Sequence, residues 1–154
     1  MKLIGCTRDG VPDGSVLKGG RAHREHLRHY SVHVLAVAAG DDGKVVVRKR
    51  ETDAARYPGM LTTTVGAHLL AGASPQDVIA VASKVTGVEL GPLTYVGTFE
   101  VADGIENEIC TLWTAEADTA SAMGTFLTVD IADAERSRLT PHLAESLKLW
   151  EARR

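Results

Sequence analysis

The sequence predicts an α/β fold in which helices pack against a mixed β-sheet as an α/β sandwich. The predicted strands outnumber the predicted helices, and the two types do not alternate regularly as they do in a doubly wound fold. The 154 residues, of which 44% are hydrophobic and 24% charged, suffice for one core of ordinary globular composition. We therefore expect a single domain over residues 1–154.

The strands predicted in the first half are β-branched runs separated by turn signals. They cover residues 3–7, 31–37, 44–50 and 61–66. Residues 40–43 form a hairpin-turn signal between the second and third of these strands. Residues 9–14 and the Tyr57-Pro58-Gly59 sequence indicate a turn and a loop, and residues 18–30 are polar and basic.

A helix is predicted after Ser74, which is a natural N-cap with Pro75 at the first helical position. Apolar residues follow at three- and four-residue spacing, at Val78, Val81, Ala82 and Val85. Gly87 ends this helix. Strands are then predicted at about residues 93–101, 108–115 and 125–129. A second amphipathic helix is predicted over residues 141–153, with an apolar stripe of Leu143, Leu147 and Trp150.

Composition excludes several classes of protein and partner. The formal net charge of -3 gives no reason to expect nucleic acid as a partner. No apolar run is long enough to cross a bilayer, and Cys6 and Cys110 are too few for a disulfide scaffold. We therefore expect a cytoplasmic protein with reduced thiols that acts on a small molecule, without nucleic acid or membrane as partner.

Histidines and paired carboxylates are the side chains that suggest chemistry. Four of the six histidines lie within eleven residues, at His23, His26, His29 and His33. His68 follows a predicted strand, and Glu106 and Glu108 are two residues apart, so a strand would place both carboxylates on one face. Like charges so placed repel unless a cation or a shared proton lies between them. Imidazole with carboxylate suits Zn, Mn, Fe or Mg, although each of these patterns alone is more often a solvated or hydrogen-bonded group.

The order of the motifs resembles that of type I isopentenyl-diphosphate isomerase, a member of the Nudix fold superfamily. The resemblance covers roughly residues 5–150. It rests on the histidine segment, Tyr57-Pro58-Gly59-Met60, Val65-Gly66-Ala67-His68, Gly72-Ala73-Ser74-Pro75 and Glu106-Asn107-Glu108-Ile109-Cys110. The last of these nearly reproduces the family's Glu-Asn-Glu-Val-Cys string. The resemblance implies a Nudix-type α/β/α sandwich with a mixed β-sheet.

The resemblance also implies a metal site. In that family three histidines and two glutamates hold one divalent metal ion, which is Mn, Mg or Zn. The implied ligands here are His29, His68, Glu106, Glu108 and one further histidine. His23 has the matching local context after Ala22, although it lies six rather than seven residues before His29. His26 is the second choice.

The departures from the family are equally informative. Gly66 stands where the family has its catalytic cysteine. The helix positions that carry magnesium-binding glutamates hold Ala73, Ala82, Val85 and Thr86. The family's diphosphate-binding lysines are replaced by Ala54 and Ala55, with Arg50 among the nearest cations. We therefore expect neither diphosphate hydrolysis nor the parent isomerisation, and an apolar helix face that packs or lines an apolar pocket.

The sequence is compatible with two functions. The first is a metal-dependent enzyme that isomerises or cyclises an unsaturated isoprenoid- or polyketide-like molecule by proton transfer. Its candidate catalytic residues are Glu108 and Tyr95, and its candidate substrate-binding residues are Arg50 and Gly66. The second is a non-catalytic Nudix-fold module that binds a ligand or partner. His33 is expected in the core or a cavity wall and His142 at the surface.

Overall fold

The computed structural model describes residues 2–6, 12–118, 126–133 and 135–153, which form nine strands, three α-helices and two short 3-10 helices. The strands are β1 (Lys2–Cys6), β2 (Pro12–Lys18), β3 (His29–Ala38), β4 (Asp41–Lys49), β5 (Leu61–Thr62), β6 (Val65–His68), β7 (Thr94–Ala102), β8 (Asn107–Ala117) and β9 (Phe126–Asp130). The helices are α1 (Gly19–Arg24), α2 (Pro75–Thr86) and α3 (Pro141–Glu151), with 3-10 turns at Ile131–Asp133 and Arg136–Arg138. Among these helices, none is long and apolar enough to cross a membrane.

The sheet is mixed, as the sequence predicts. β3 and β8 run parallel over ten residue pairs, from His29 opposite Glu108 to Ala38 opposite Ala117. The other pairings are antiparallel: β1 with β2 and β3, β3 with β4 and β6, β4 with β5 and β9, and β7 with β8. β3 therefore lies between β6 and β8 at the end of the sheet where the candidate ligands are found.

Helices cover the two faces of the sheet and produce two hydrophobic clusters. Alternate β3 residues point to opposite faces, so Leu35 packs with Leu143 of α3 while Val34 packs with Val78 and Ile79 of α2. All five side chains are buried, with at most 7% of their surface exposed. This arrangement confirms the α/β/α sandwich.

α2 begins and ends where the sequence predicts. The Ser74 side chain accepts a hydrogen bond from the backbone N–H of Asp77, and the Asp77 carboxylate accepts one from the backbone N–H of Ser74. Gly87 closes the helix at φ 82°, a left-handed conformation that favours glycine.

Three local predictions are corrected by the structure. The strand predicted over residues 61–66 is broken at Thr64, whose hydroxyl donates to the carbonyl of Val46 in β4 and accepts from the backbone N–H of Ala36. Residues 12–14, predicted as part of a turn, belong to β2, in which Pro12 pairs with Cys6 of β1. The polar segment after residue 18 contains the short helix α1. Residues 7, 9–11 and 125 of the predicted elements lie outside the described residues.

Candidate metal centre

Three neighbouring strands carry three of the side chains that the sequence singles out as ligands, namely His29, His68 and Glu108. His29 begins β3 and lies directly opposite Glu108 in β8. On the other side of β3, His68 of β6 pairs with Ser31. Because residues two apart on a strand share a face, His29, Ser31 and His68 all point to the α3 side of the sheet.

The five residues implied as ligands converge in the structure. One ligand atom from each of His23, His29 and His68 lies within 4.8 Å of the others, and the same is true of His29, Glu106 and Glu108. The three imidazole rings have centroid separations of 4.9–5.2 Å. We call His23, His29, His68, Glu106 and Glu108 the ligand cluster.

The structure distinguishes the two candidates for the remaining histidine. α1 directs His23 into the cluster, with Nε2 3.5 Å from Oε2 of Glu106. His26 follows α1 in a turn at φ 53°, and its side chain is exposed. The structure therefore brings His23 and not His26 to the cluster. The short helix that separates them was not predicted from the sequence.

Two buried atoms show that the cluster suits a cation. His29 donates from Nδ1 to the carbonyl of Leu27 at 2.8 Å, which leaves a lone pair on Nε2. This Nε2 and Oε2 of Glu106 are buried, and neither has a hydrogen-bond partner among the residues described. Buried polar atoms without partners are unfavourable, and a divalent ion would satisfy both of them. The donor set of imidazoles and carboxylates is one that Mn or Zn accepts.

The protonation states differ between the two carboxyl groups. Burial and then the neighbouring charge of Glu108 raise the pKa of Glu106 to about 8. For Glu108 the effect of burial is outweighed by the hydrogen bond and charge of His142, so its pKa is lowered. Burial also lowers the pKa of His68 to about 4, so that this imidazole is neutral at pH 7, as a metal ligand must be.

A hydrogen-bonded turn fixes the position of Glu106. Oδ1 of Asp103 accepts from the backbone N–H groups of Ile105 and Glu106, each at 2.7 Å. The Tyr57 hydroxyl donates to Oδ2 of the same aspartate at 2.6 Å. The loop before β5 is thereby joined to the turn before β8, and Arg56 of that loop reaches Oε1 of Glu106 at 2.9 Å.

His142 is a site residue that the sequence reasoning placed at the surface, and the structure corrects this. Only 7% of its surface is exposed, and its Nε2 lies 3.2 Å from Oε1 of Glu108. His142 and Ser146 are buried beside the predicted Leu143, Leu147 and Trp150 stripe of α3. The four-residue spacing of His142 and Ser146, next to that stripe, was the signal available in the sequence.

A cavity of about 150 Å³ opens beside the cluster. A volume of this size is enough for a molecule about as large as benzene. Its lining includes the two proposed substrate-binding residues, Arg50 and Gly66, together with His68, Glu106 and Glu108. Arg48 and Arg56 also line it, so part of the cavity wall is cationic.

His33 lies in the wall of this cavity, in agreement with the sequence expectation. It forms hydrogen bonds with Thr63 at 2.8 Å and Ser31 at 3.1 Å, and its ring stacks on His142 with a centroid separation of 4.9 Å. Burial and then the neighbouring His142 lower the pKa of His33 to about 3. The ring is therefore neutral across the physiological range.

Tyr95, the second predicted catalytic residue, is not part of the site. Its ring is half exposed and packs edge-on against Trp113, the residue it faces in the pairing of β7 with β8. Trp113 lies five residues beyond Glu108 on β8, which corresponds to about 16 Å along the strand. Tyr95 is therefore too far from the ligand cluster to contact a substrate held there.

The apolar face predicted for α2 also lies beside the site. Ala73, Val81 and Ala82 line a groove next to β6, while Val85, one turn further along, is 81% exposed and outside it. The helix contains no glutamate, and its one acidic residue, Asp77, caps the N-terminus. The described part of α2 therefore offers no carboxylate to a magnesium diphosphate.

Comparisons with known proteins give a fold but no sequence family. No protein-family model and no curated protein sequence matches the chain. Similar solved structures include DR0079 from Deinococcus radiodurans, with a TM-score of 0.68 and 14% identity, covering 96% of this chain and 98% of that one. A MutT NUDIX hydrolase from Burkholderia pseudomallei has a TM-score of 0.64 and 14% identity, and the match covers 79% of this chain and 97% of that one. RenU, a Nudix hydrolase from M. Smegmatis, has a TM-score of 0.55 and 14% identity, and the match covers 99% of this chain and 94% of that one. The chain therefore has the Nudix fold.

Proposed function

We propose that this chain is a metal-dependent enzyme of the Nudix superfamily that isomerises or cyclises a small unsaturated molecule by proton transfer. The observation that carries the proposal is that a group of three imidazoles and a group of one imidazole and two carboxylates share His29, whose buried Nε2 has no hydrogen-bond partner among the described residues. A purely structural role gives no reason to bury two adjacent carboxylates, because their mutual repulsion and desolvation are unfavourable.

His23, His29, His68, Glu106 and Glu108 would hold one divalent ion, which we propose is Mn, Mg or Zn. When bound, the ion would act as a Lewis acid and neutralise the paired carboxylates. The hydrogen bond from Nδ1 of His29 to the carbonyl of Leu27 holds the ring so that the lone pair on Nε2 is directed at the site. The ion pair with Arg56 would orient Glu106.

Glu108 is the proposed proton-transferring group. It lines the cavity, and His142 holds one of its oxygens at 3.2 Å. Because its pKa is lowered, this carboxylate is ionised, so it would take a proton from one carbon of a bound alkene and return it to another carbon, which moves the double bond. Tyr95 lies outside the site and takes no part in this transfer.

The substrate we propose carries an apolar unsaturated part and an anionic or strongly polar group. Arg48, Arg50 and Arg56 line the cavity, and guanidinium groups bind carboxylates in two-pronged hydrogen bonds. Diphosphate hydrolysis is disfavoured because α2 contains no glutamate with which to hold additional magnesium. An isoprenoid- or polyketide-derived acid fits both the cationic wall and the apolar α2 face.

Hydrogen exchange with solvent tests this proposal. A panel of isoprenoid and polyene acids is incubated with metal-loaded protein in D₂O, and deuterium at carbon is measured by mass spectrometry. We expect incorporation with the wild-type protein and with Tyr95→Phe, and none with Glu108→Gln. Equal incorporation by the wild type and Glu108→Gln would contradict the proposal, as would phosphate release from nucleoside diphosphates without any exchange.

The second candidate function is a non-catalytic module that binds a ligand or partner. It is favoured by the ion pair of Arg56 with Glu106 and the hydrogen bond of His142 with Glu108, because each carboxylate then has a partner within the chain. Metal content separates the two candidates. For either one we propose a cytoplasmic location, in keeping with the buried free thiol of Cys110.

A further inference from the structure

A second and larger cavity adjoins the candidate metal centre. It has a volume of about 350 Å³ and runs between α2 and β6. Its walls include Ala67, His68, Leu70, Ala73, Val81 and Ala82, and we call it the α2 groove. Ala67 and His68, at the end of β6, also line the smaller cavity beside the carboxylates, so the two cavities lie next to each other at this end of the strand.

The groove is apolar, and none of the described residues covers it. Val81 is 65% exposed and Leu70 is 37% exposed, although both are large hydrophobic side chains. The carboxylate of Asp77, at the groove's edge, already accepts the backbone N–H of Ser74 in the helix cap. A ligand in the groove would therefore meet aliphatic side chains and would find few hydrogen-bonding groups.

We propose that the α2 groove binds the hydrocarbon chain of the substrate whose reactive end lies in the smaller cavity. This inference rests on the proposed function, and it specifies the substrate class: an acid or alcohol with an unbranched or isoprenoid chain. At about 30 Å³ for each heavy atom, the groove has room for on the order of ten such atoms. The chain would pass Ala67 and His68 at the end of β6, the residues that line both cavities, with its reactive end towards Glu108.

A second copy of the chain is the competing occupant, and the size of the apolar surface argues against it. A stable protein interface buries about 800 Å² on each partner. Among the described lining residues, the two exposed large hydrophobic side chains, Leu70 and Val81, provide much less than this. The dimensions suit a single aliphatic chain.

Competition between Nile red and straight-chain primary alcohols tests the groove without requiring the natural substrate. For the wild-type protein we expect the affinity for the alcohols to rise about fourfold per methylene and to level off near ten carbons. Val81→Asp and Val81→Lys should each weaken binding by about tenfold or more, because a charge of either sign would enter the groove. Val85→Asp is the matched control on the same helix, and it should bind as the wild type does.

Failure of this inference is distinguishable from failure of the proposed function. Glu106→Gln should lose metal affinity and keep alcohol binding, whereas Val81→Asp should keep metal affinity and lose alcohol binding. Wild-type binding by Val81→Asp, or equal weakening by Val81→Asp and Val85→Asp, would overturn the groove assignment. It would also be overturned if sedimentation showed a wild-type dimer that Val81→Asp converts to a monomer.

Discussion

The imidazole ring of His33 lies so close to Gly66 that a Cβ atom at position 66 would come within 2.9 Å of its Cε1 and Nδ1 atoms. Hydrogen bonds with Thr63 and Ser31 hold the ring in this place. The resemblance to isopentenyl-diphosphate isomerases assigns a catalytic cysteine to the position of Gly66. In this chain the ring of His33 occupies the space that such a side chain would need.

Gly66→Ala should therefore lower the free energy of unfolding by about 1–3 kcal/mol, because the methyl group would overlap a ring that cannot move freely. Urea denaturation measures this loss. In the His33→Ala background the same substitution should cost much less, since the ring is gone. Gly104→Ala is the control, because a Cβ atom at Gly104 meets no atom within 4 Å. Equal effects of Gly66→Ala and Gly104→Ala would contradict the close approach.

The contact between His142 and Glu108 predicts a metal-dependent loss of stability. His142→Phe keeps a ring beside His33 but removes the donor, so a buried carboxyl group loses its partner. We expect a loss of about 1.5–3 kcal/mol in the presence of EDTA, measured by urea denaturation. The loss should be smaller with excess Mn²⁺, because the ion would satisfy Glu108.

Lys148→Met serves as the control for this experiment. It removes an exposed pair with Glu145 on the same helix and should change stability by no more than about 0.5 kcal/mol. A loss for His142→Phe that is the same with EDTA and with Mn²⁺ would mean that no ion compensates Glu108.

The lowered pKa of His33 predicts a stability change on acidification. Its value in the folded protein is about 3 against 6.5 for an ordinary histidine, mainly because the ring is buried. The unfolded chain therefore takes up a proton at this position at a higher pH than the folded protein does. The stability conferred by the neutral ring is complete above about pH 6.5 and falls by about 1.4 kcal/mol per pH unit as the pH drops towards 3.

Urea titrations between pH 7 and pH 4.5 measure this effect. The free energy of unfolding should fall less steeply for His33→Asn than for the wild type, since asparagine does not titrate. His26→Asn, at an exposed turn position, should follow the wild-type curve. Parallel curves for the wild type and His33→Asn would contradict the assignment of a buried neutral imidazole.

The choice between His23 and His26 is testable by metal affinity. His23→Ala removes a member of the ligand cluster and should weaken the binding of Mn²⁺ or Zn²⁺ by about tenfold or more in calorimetric titrations. His26→Ala should leave the affinity unchanged, because this side chain points into solvent. Weakening by His26→Ala alone would reverse the assignment.

The sequence predicted the members of the ligand cluster better than their surroundings. Strand periodicity placed Glu106 and Glu108 together, and the resemblance supplied His29 and His68. The choice of His23 depends on α1, a six-residue helix that local propensity does not specify because so short a helix is stable only in its tertiary setting.

Two other residues show what sequence reasoning lacked. His142 reaches Glu108 because α3 packs across the sheet, and the relative placement of helix and sheet is not encoded in the periodicity of either element. Tyr95 was predicted as a proton donor because Gly66 stands where the family has its catalytic cysteine. The antiparallel register of β7 and β8 places it beside Trp113 instead.

Metal analysis of the purified protein tests the central claim most directly. Protein produced in medium supplied with Mn, Zn and Mg is measured by inductively coupled plasma mass spectrometry, together with the Glu106→Ala/Glu108→Ala double variant. The ligand cluster predicts close to one equivalent of a divalent metal in the wild type and almost none in the double variant. A wild-type protein that contains no metal after this preparation would contradict the proposed metal centre.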